Sequence, residues 1–253
     1  MPKDDPSTSR PRRSRPVRVA DEIKNWVVEQ RLQPGDRLPG EAELIRRFGM
    51  SKGTIREAMR LLQAQGLVET KTGPGGGSFV GAVTRERANA LLANYFYFRD
   101  VTIGDIYQIR IALEPELVAG LAGNLTEAQL GELEAIMERY AEPAADSEEE
   151  RRQHVDSLRF HARLSDFAQN EMLGYFISFM AQILTDLTVY KRLYTTPNLY
   201  LWQRGREHQL DLLAALRRGD AEDARRIMRS HMEGARGLME AQEAVVMKRF
   251  MAE

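Results

Sequence analysis

The 253-residue chain contains no cysteine. Thiol nucleophiles, disulfides and thiolate zinc sites are therefore excluded. No apolar run approaches the ~20 residues a membrane span needs, so no membrane partner is expected. The opening Met1-Pro2-Lys3-Asp4-Asp5 lacks the apolar core of a secretory signal, which points to the cytoplasm. There is no His-Glu-x-x-His run and no His-Asp dipeptide, which weighs against a metallohydrolase. Net charge is also scarce: 36 basic residues against 37 acidic ones leave −1. Taken alone, that balance argues against a nucleic-acid binder. It conceals an asymmetry, because residues 1–82 carry 15 Lys and Arg against 10 Asp and Glu, whereas residues 83–253 carry 21 against 27. A basic first third joined to an acidic remainder suggests two domains with different partners.

With 43 % apolar residues the chain can build cores for both. Residues 1–16 are mostly Pro, Ser and Arg with hardly any apolar side chains, and read as a disordered basic arm. From Val17 the apolar period is helical, with Val17, Ala20, Ile23, Val27 and Val28 on one face before Pro34-Gly35 forces a turn. A short helix from about Gly40 to Phe48 and another over Lys52–Gln65 follow, broken by Gly49 and started by Ser51 as N-cap. Leu67–Lys71 and Ser78–Val80 then read as two strands around a glycine-rich loop. After a linker at 83–90 the pattern is helical throughout, with helices expected over 84–98, 103–122, 126–140, 148–169, 171–193, 199–217 and 220–250. The expected fold is mostly α: a winged helix-turn-helix with a small hairpin over 17–82, and an all-α bundle over 91–253.

A helix-turn-helix presents the first turns of its second helix to the major groove. Lys52, Thr54 and Arg56 occupy that stretch. Arg and Lys donate to guanine O6 and N7, and Thr can reach a thymine methyl. The segments Pro34-Gly35-Asp36-Arg37-Leu38-Pro39, Glu41-Ala42-Glu43-Leu44, Phe48-Gly49-Met50-Ser51, Thr54-Ile55-Arg56-Glu57-Ala58-Met59 and Gly66-Leu67-Val68 resemble the winged domain of GntR-family bacterial transcription regulators. That resemblance implies DNA contacts from Arg37 and from Ser51, Lys52, Gly53, Thr54 and Arg56, with the wing tip at Gly75 and Gly76 approaching the minor groove. Two departures bear on operator choice: Ala42 stands where many relatives carry a base-contacting Arg, and Gly53 where Ser or Thr is common.

The helical remainder resembles the FCD domain of the FadR subfamily, through Ile106–Leu117, Phe160-His161 with Asn170, Ala214–Asp220, and Met228–His231. The resemblance implies a domain that dimerises and binds a small effector, in many members with a divalent metal such as zinc or nickel. Such metals are held by an Asp four residues before a His, and by one His from each of two later helices. Here two positions are out of register: Ser157 stands four before His161, with Asp156 one step away, and Gln209 takes the third position, with His208 beside it. One residue is a ~100° rotation on a helix. Either Asp156 and His208 reach in to join His161 and His231, or only the last two remain. Arg110 either grips a carboxylate effector or pairs with Glu114 or Glu116. With His161 and Asn170 it completes the expected effector set. The aromatics Tyr95–Phe98, Phe176, Phe179, Tyr190 and Tyr194 suit a core or dimer interface. The resulting reading is a homodimeric regulator that binds a double-stranded operator and answers to an organic acid. A ligand-insensitive dimeric DNA binder is the alternative, and a metallohydrolase fused to a DNA-binding domain a more distant one.

Overall fold

Pro16 sits in the first turn of helix α1 (Arg15–Glu29), where its missing N–H costs nothing. The computed structural model describes residues 14–97, 99, 101–190 and 198–252. The expected arm, including Arg10, Arg12 and Arg13, lies outside these residues up to position 13, but Arg15 and Pro16 are helical rather than part of it. Phe98, Tyr194 and Pro197 also lie outside them, as do the side chains of Tyr97 and Tyr190. The chain divides into two compact units, Met1–Leu92 and Ala93–Glu253.

In the first unit α1 packs on α3 (Lys52–Gln65), and α2 (Glu41–Phe48) closes the other side. Val19, Ala20, Ile23, Leu44, Ile55, Ala58 and Leu62 are buried between them, with Leu38, Val68 and Val80 sealing the edge. Such side chains stabilise a fold by roughly 1.5–3 kcal/mol each, before entropy is counted. The turn between α2 and α3 needs Gly49 because its φ of 60° is left-handed. Ser51 then caps α3, its Oγ accepting from the Thr54 N–H at 3.3 Å. Strands β1 (Val68–Lys71) and β2 (Gly77–Val80) pair antiparallel, with Val68 opposite Val80. Residues 35–38 add a partial third edge, since Leu38 N–H donates to the Ser78 carbonyl and Gly35 N–H to that of Val80, both at 2.8 Å.

Helix α4 (Arg85–Tyr97) begins inside the stretch 83–90 expected as linker, and the division between units falls within it. The second unit contains α5 (Ile103–Leu121), α6 (Glu127–Met137), α7 (Ser147–Asp166), α8 (Glu171–Tyr190), α9 (Leu199–Arg218) and α10 (Ala221–Ala252). Capping boxes at Thr102/Asp105 and Thr126/Gln129 start α5 and α6. Where one helix was expected over 126–140, α6 tightens after Met137 into a 3₁₀ turn, Glu138–Tyr140. That turn brings Tyr140 inward and buries it. Helix α5 packs against both α8 and α10, and α7 against α8. Leu117, Val118, Leu133, Leu158, Phe160, Leu164, Leu184, Leu212 and Met228 fill the spaces between them.

Candidate functional site

The first unit presents one polar face. On α3 the buried Ile55, Ala58 and Leu62 point to the core, which leaves Lys52 and Arg56 with side chains more than 60 % exposed. Both reach the same partner at the start of α2: Lys52 Nζ lies 3.4 Å and Arg56 Nε 3.5 Å from the Glu41 carboxylate. Thr54 stands beside the cap, its Oγ1 at 3.0 Å from Ser51 Oγ. Gly53 faces open space, a Cβ there meeting only Ser51 Oγ at 4.0 Å. The wing supplies the other end of the face. Arg37 Nη2 donates to the Gly76 carbonyl at 2.6 Å, so Arg37 lies against the tip formed by Gly73–Gly77. Gly76 is obligatory there, because a Cβ would sit 2.6 Å from the Lys71 carbonyl oxygen. Ser51–Arg56 lie together on α3, and Arg37 joins Gly76 at the wing. Arg and Lys forks beside a glycine tip suit phosphate and base edges.

The second unit holds a cavity of about 70 Å³, small beside the ~300–1,000 Å³ of drug-sized sites and suited to a ligand of few atoms. Its walls come from one face of α7 (Glu150, His154, Ser157, His161), one face of α9 (Trp202, Arg206, Gln209), and parts of α5 and α10. Arg110 is 1 % exposed and bonds Glu114, which is equally buried. Glu114 in turn holds His161 Nδ1 at 2.6 Å. Burial alone would raise the Glu114 pKa; the charges of Arg110 and His161 outweigh it and hold the carboxyl at about 2. Of the two pairings open for Arg110, the structure takes the one with Glu114, and Glu116 instead bonds Arg225. Arg110 still keeps Nη2 without a hydrogen-bond partner, and Glu150 Oε2 and Gln153 Oε1 in the same walls are also unpartnered. A buried polar atom left so costs about 1–3 kcal/mol, which a ligand or water would recover.

The expected metal set does not assemble. Asp156 turns away from the cavity to Arg139 (3.6 Å) and Arg159. His208 lines a second cleft; its ring lies 5.2 Å from that of His231 at 34°, and its Nδ1 lies 2.6 Å from the Arg204 carbonyl oxygen. This is the rotation that a one-residue offset imposes. In register stand Ser157 and Gln209, which bond each other at 3.2 Å, while Tyr140 donates its phenol to Gln209 Oε1 at 3.0 Å. His161 and His231 are near, but their rings stack at 5.4 Å and 10°, so their in-plane lone pairs run parallel rather than converge. Among the described residues no three His, Asp or Glu side chains are grouped to hold an ion. The residues present do not fit a divalent metal, which wants about four converging ligands. Asn170 does not line the cavity either; it is exposed, and its Oδ1 accepts from the Met172 and Leu173 N–H groups, both at 3.1 Å, at the start of α8. Sequence reasoning missed Glu150, Tyr140, Trp202, Arg206 and Gln209, although 150/154/157/161 and 202/206/209 repeat at helical spacing.

A three-helix unit with a hairpin wing and a basic third helix defines the class, a winged helix-turn-helix DNA-binding regulator. The profile of the bacterial regulatory proteins, gntR family, matches residues 16–80, and that of the FCD domain matches residues 105–234. The chain belongs to the GntR family and carries an FCD domain. It is 26 % identical over 224 residues to the Uxu operon regulator of Haemophilus influenzae, covering 87 % of this chain and 80 % of that one. To the HTH-type transcriptional repressor NanR of Enterobacter sp. strain 638 it is 25 % identical over 223 residues, covering 85 % and 81 %. Among solved structures it resembles the Streptococcus agalactiae GntR protein, with a TM-score of 0.61, 20 % identity, and coverage of 87 % and 98 %. That likeness speaks for the fold.

Proposed function

We propose that this regulator is a homodimeric repressor that binds a palindromic operator and responds to a small organic acid taken into the cavity of its helical unit. In this reading residues 17–82 read DNA, 83–90 connect by way of the start of α4, 91–253 dimerise and bind the effector, and the basic segment before α1 forms an arm. Lys52, Thr54 and Arg56, on the exposed face of the capped helix α3, contact base edges and phosphates, while Arg37, Gly75 and Gly76 follow the backbone at the wing. One winged unit makes few contacts, so two copies reading half-sites supply the affinity. The observation that carries the effector reading is the cavity itself, walled by buried polar groups of which several lack partners. The repressor role is supported by the likeness to NanR, which is described as a repressor.

The test begins with DNA selected from a random pool by the full-length protein. Arg56→Ala is expected to weaken binding to that DNA by about 1–3 kcal/mol per half-site while leaving the circular dichroism unchanged. Unchanged affinity in a titration at fixed salt would remove α3 as the reader. A screen of small carboxylates for release of the same DNA then tests the response, and a protein indifferent to every acid would favour the ligand-insensitive binder.

A further inference from the structure

Two charged groups of the cavity wall, Arg206 and Glu150, have no ion-pair partner among the described residues, and burial pushes the Glu150 carboxyl towards its neutral form. Arg110 is matched by Glu114. His154 is held neutral down to about 3, chiefly by burial and further by the charges of Arg110 and His161. Burial likewise pushes His231 well below its ordinary value. Arg206 is different. It lines the cavity, half-buried, and donates Nη1 to the Met137 carbonyl at 3.1 Å, yet no carboxylate lies within ion-pair distance of it among the described residues. Beside it lies Tyr140, whose phenol burial pushes upward, against the Gln209 hydrogen bond and the Arg206 charge. The phenol therefore stays protonated and donates to Gln209, which donates onward to Ser157. The wall where the FCD resemblance implied metal ligands is thus a neutral hydrogen-bonded chain, with a spare guanidinium at one end.

We propose that the cavity takes an anionic ligand directly on Arg206, with no metal between them, against the neutral wall of Tyr140, Gln209 and Ser157. This rests on the reading of the cavity as the effector site. A guanidinium has five donors in a planar fork, and a carboxylate matches two of them at once. A metal would supply the same positive charge as a point; Arg206 supplies it with direction. The unpartnered Glu150 Oε2 and Gln153 Oε1 are acceptors, so the ligand carries hydrogen-bond donors as well as its acid group.

The probes are glycerate and glycerol, which share a skeleton and hydroxyl donors but differ in the carboxylate. Saturation-transfer NMR on the full chain is expected to show glycerate bound and glycerol bound at least about fivefold more weakly. Arg206→Met should remove the glycerate signal and Arg206→Lys should restore part of it, with a strong chelator changing nothing. Gly205→Leu provides the control, because Gly205 lines the cavity and a side chain there meets open space. Glycerate that binds in Arg206→Met but not in Gly205→Leu overturns the role of Arg206 and leaves the cavity as the effector site. Glycerate that still binds in Gly205→Leu, or fails to bind the parent protein, overturns both. One zinc ion per chain retained in native mass spectrometry, or loss of glycerate on chelation, overturns the metal-free site.

Discussion

Glu41 holds two basic side chains of α3 at once, and among the described residues of the first unit no other carboxylate is paired with them. Each exposed pair is worth at most about 1 kcal/mol. When Lys52 and Arg56 turn to DNA they exchange that carboxylate for the nucleic acid, and Glu41 is left facing a polyanion. Its cost is paid on any sequence, so it suppresses indiscriminate binding most. Glu41→Gln is therefore expected to tighten binding to random-sequence DNA by about three- to tenfold at low salt, and to tighten operator binding less. Anisotropy titrations on both DNAs at several salt concentrations measure the ratio. An unchanged ratio would show that Glu41 only orders the two side chains. The basic pair was legible from the sequence, because a capped amphipathic helix leaves 52 and 56 outside. The shared carboxylate was not, because it comes from another helix and depends on the crossing of the two. The bundle shows the same limit. The offsets at Asp156 and His208 could be counted from the sequence, and the rotation they imply is what the helices show. What stands in their place, a phenol–amide–hydroxyl chain, needs the 3₁₀ turn that carries Tyr140.

Helix α8 is buried less than its apolar composition would suggest. Residues 171–189, with a mean hydropathy of 1.4, are long and apolar enough for a span by length and composition, contrary to the expectation that no run approaches that length. Of the most apolar stretch, 44 % is buried. Ile177, Phe179, Ala181 and Leu184 face the core, while Met172, Phe176 and Val189 are exposed, as is Ile109 on the neighbouring α5. A helix that is apolar all round is covered all round. The proposed dimer supplies the second cover, and the aromatics read from the sequence divide accordingly: Phe179 inside and Phe176 at the surface. Phe176→Asp is expected to convert dimer to monomer in sedimentation at micromolar concentration, with helix content retained, because the side chain is 39 % exposed in the single chain. A dimer that survives this change, and Met172→Glu as well, would place the interface elsewhere. The helices themselves were legible because apolar period, caps and glycine stops agree; the missing part was the tertiary choice of which apolar face meets which neighbour.

Across the molecule, the near-zero net charge conceals two units that differ in how they handle ionisable groups. Among the described residues of the first, the buried side chains are apolar and the ion pairs Lys24–Asp21, Lys52–Glu41 and Arg56–Glu41 are exposed. The second buries Arg110, Glu114, Glu150 and His161. The charge asymmetry in the sequence marked the division, but burial of these groups could not be read from it. The difference predicts how acid acts. His154 titrates near 6.5 when unfolded, but in the folded bundle burial, with Arg110 and His161, holds it at about 3. The unfolded chain then binds the extra proton, so this contribution is complete above about 6.5 and is lost as pH falls towards 3. Glu114 adds a second loss. Its folded value of about 2 lies below the 4.5 of an ordinary Glu, so its contribution drains away between those two values. Glu150 runs the other way, since burial raises it, and protonation relieves its cost. His231, which burial also pushes well below its ordinary value, acts with His154 and Glu114. Three groups against one leave the bundle weakened by acid, while the winged unit has no buried counterpart among the described residues. The chain has two tryptophans, Trp26 in the first unit and Trp202 in the second, so Trp202→Phe and Trp26→Phe leave one reporter in each. Between pH 7 and pH 4 the melting temperature read at Trp202 should fall by on the order of 5 °C more than that read at Trp26. His154→Phe should reduce the slope of the Trp202 profile between pH 6.5 and 4, leaving the remainder there to His231 and the slope at lower pH to Glu114 as well. Parallel profiles at the two tryptophans would mean that the buried histidine and carboxylate pay no such penalty, and that the bundle cavity is open enough to water for both to titrate normally.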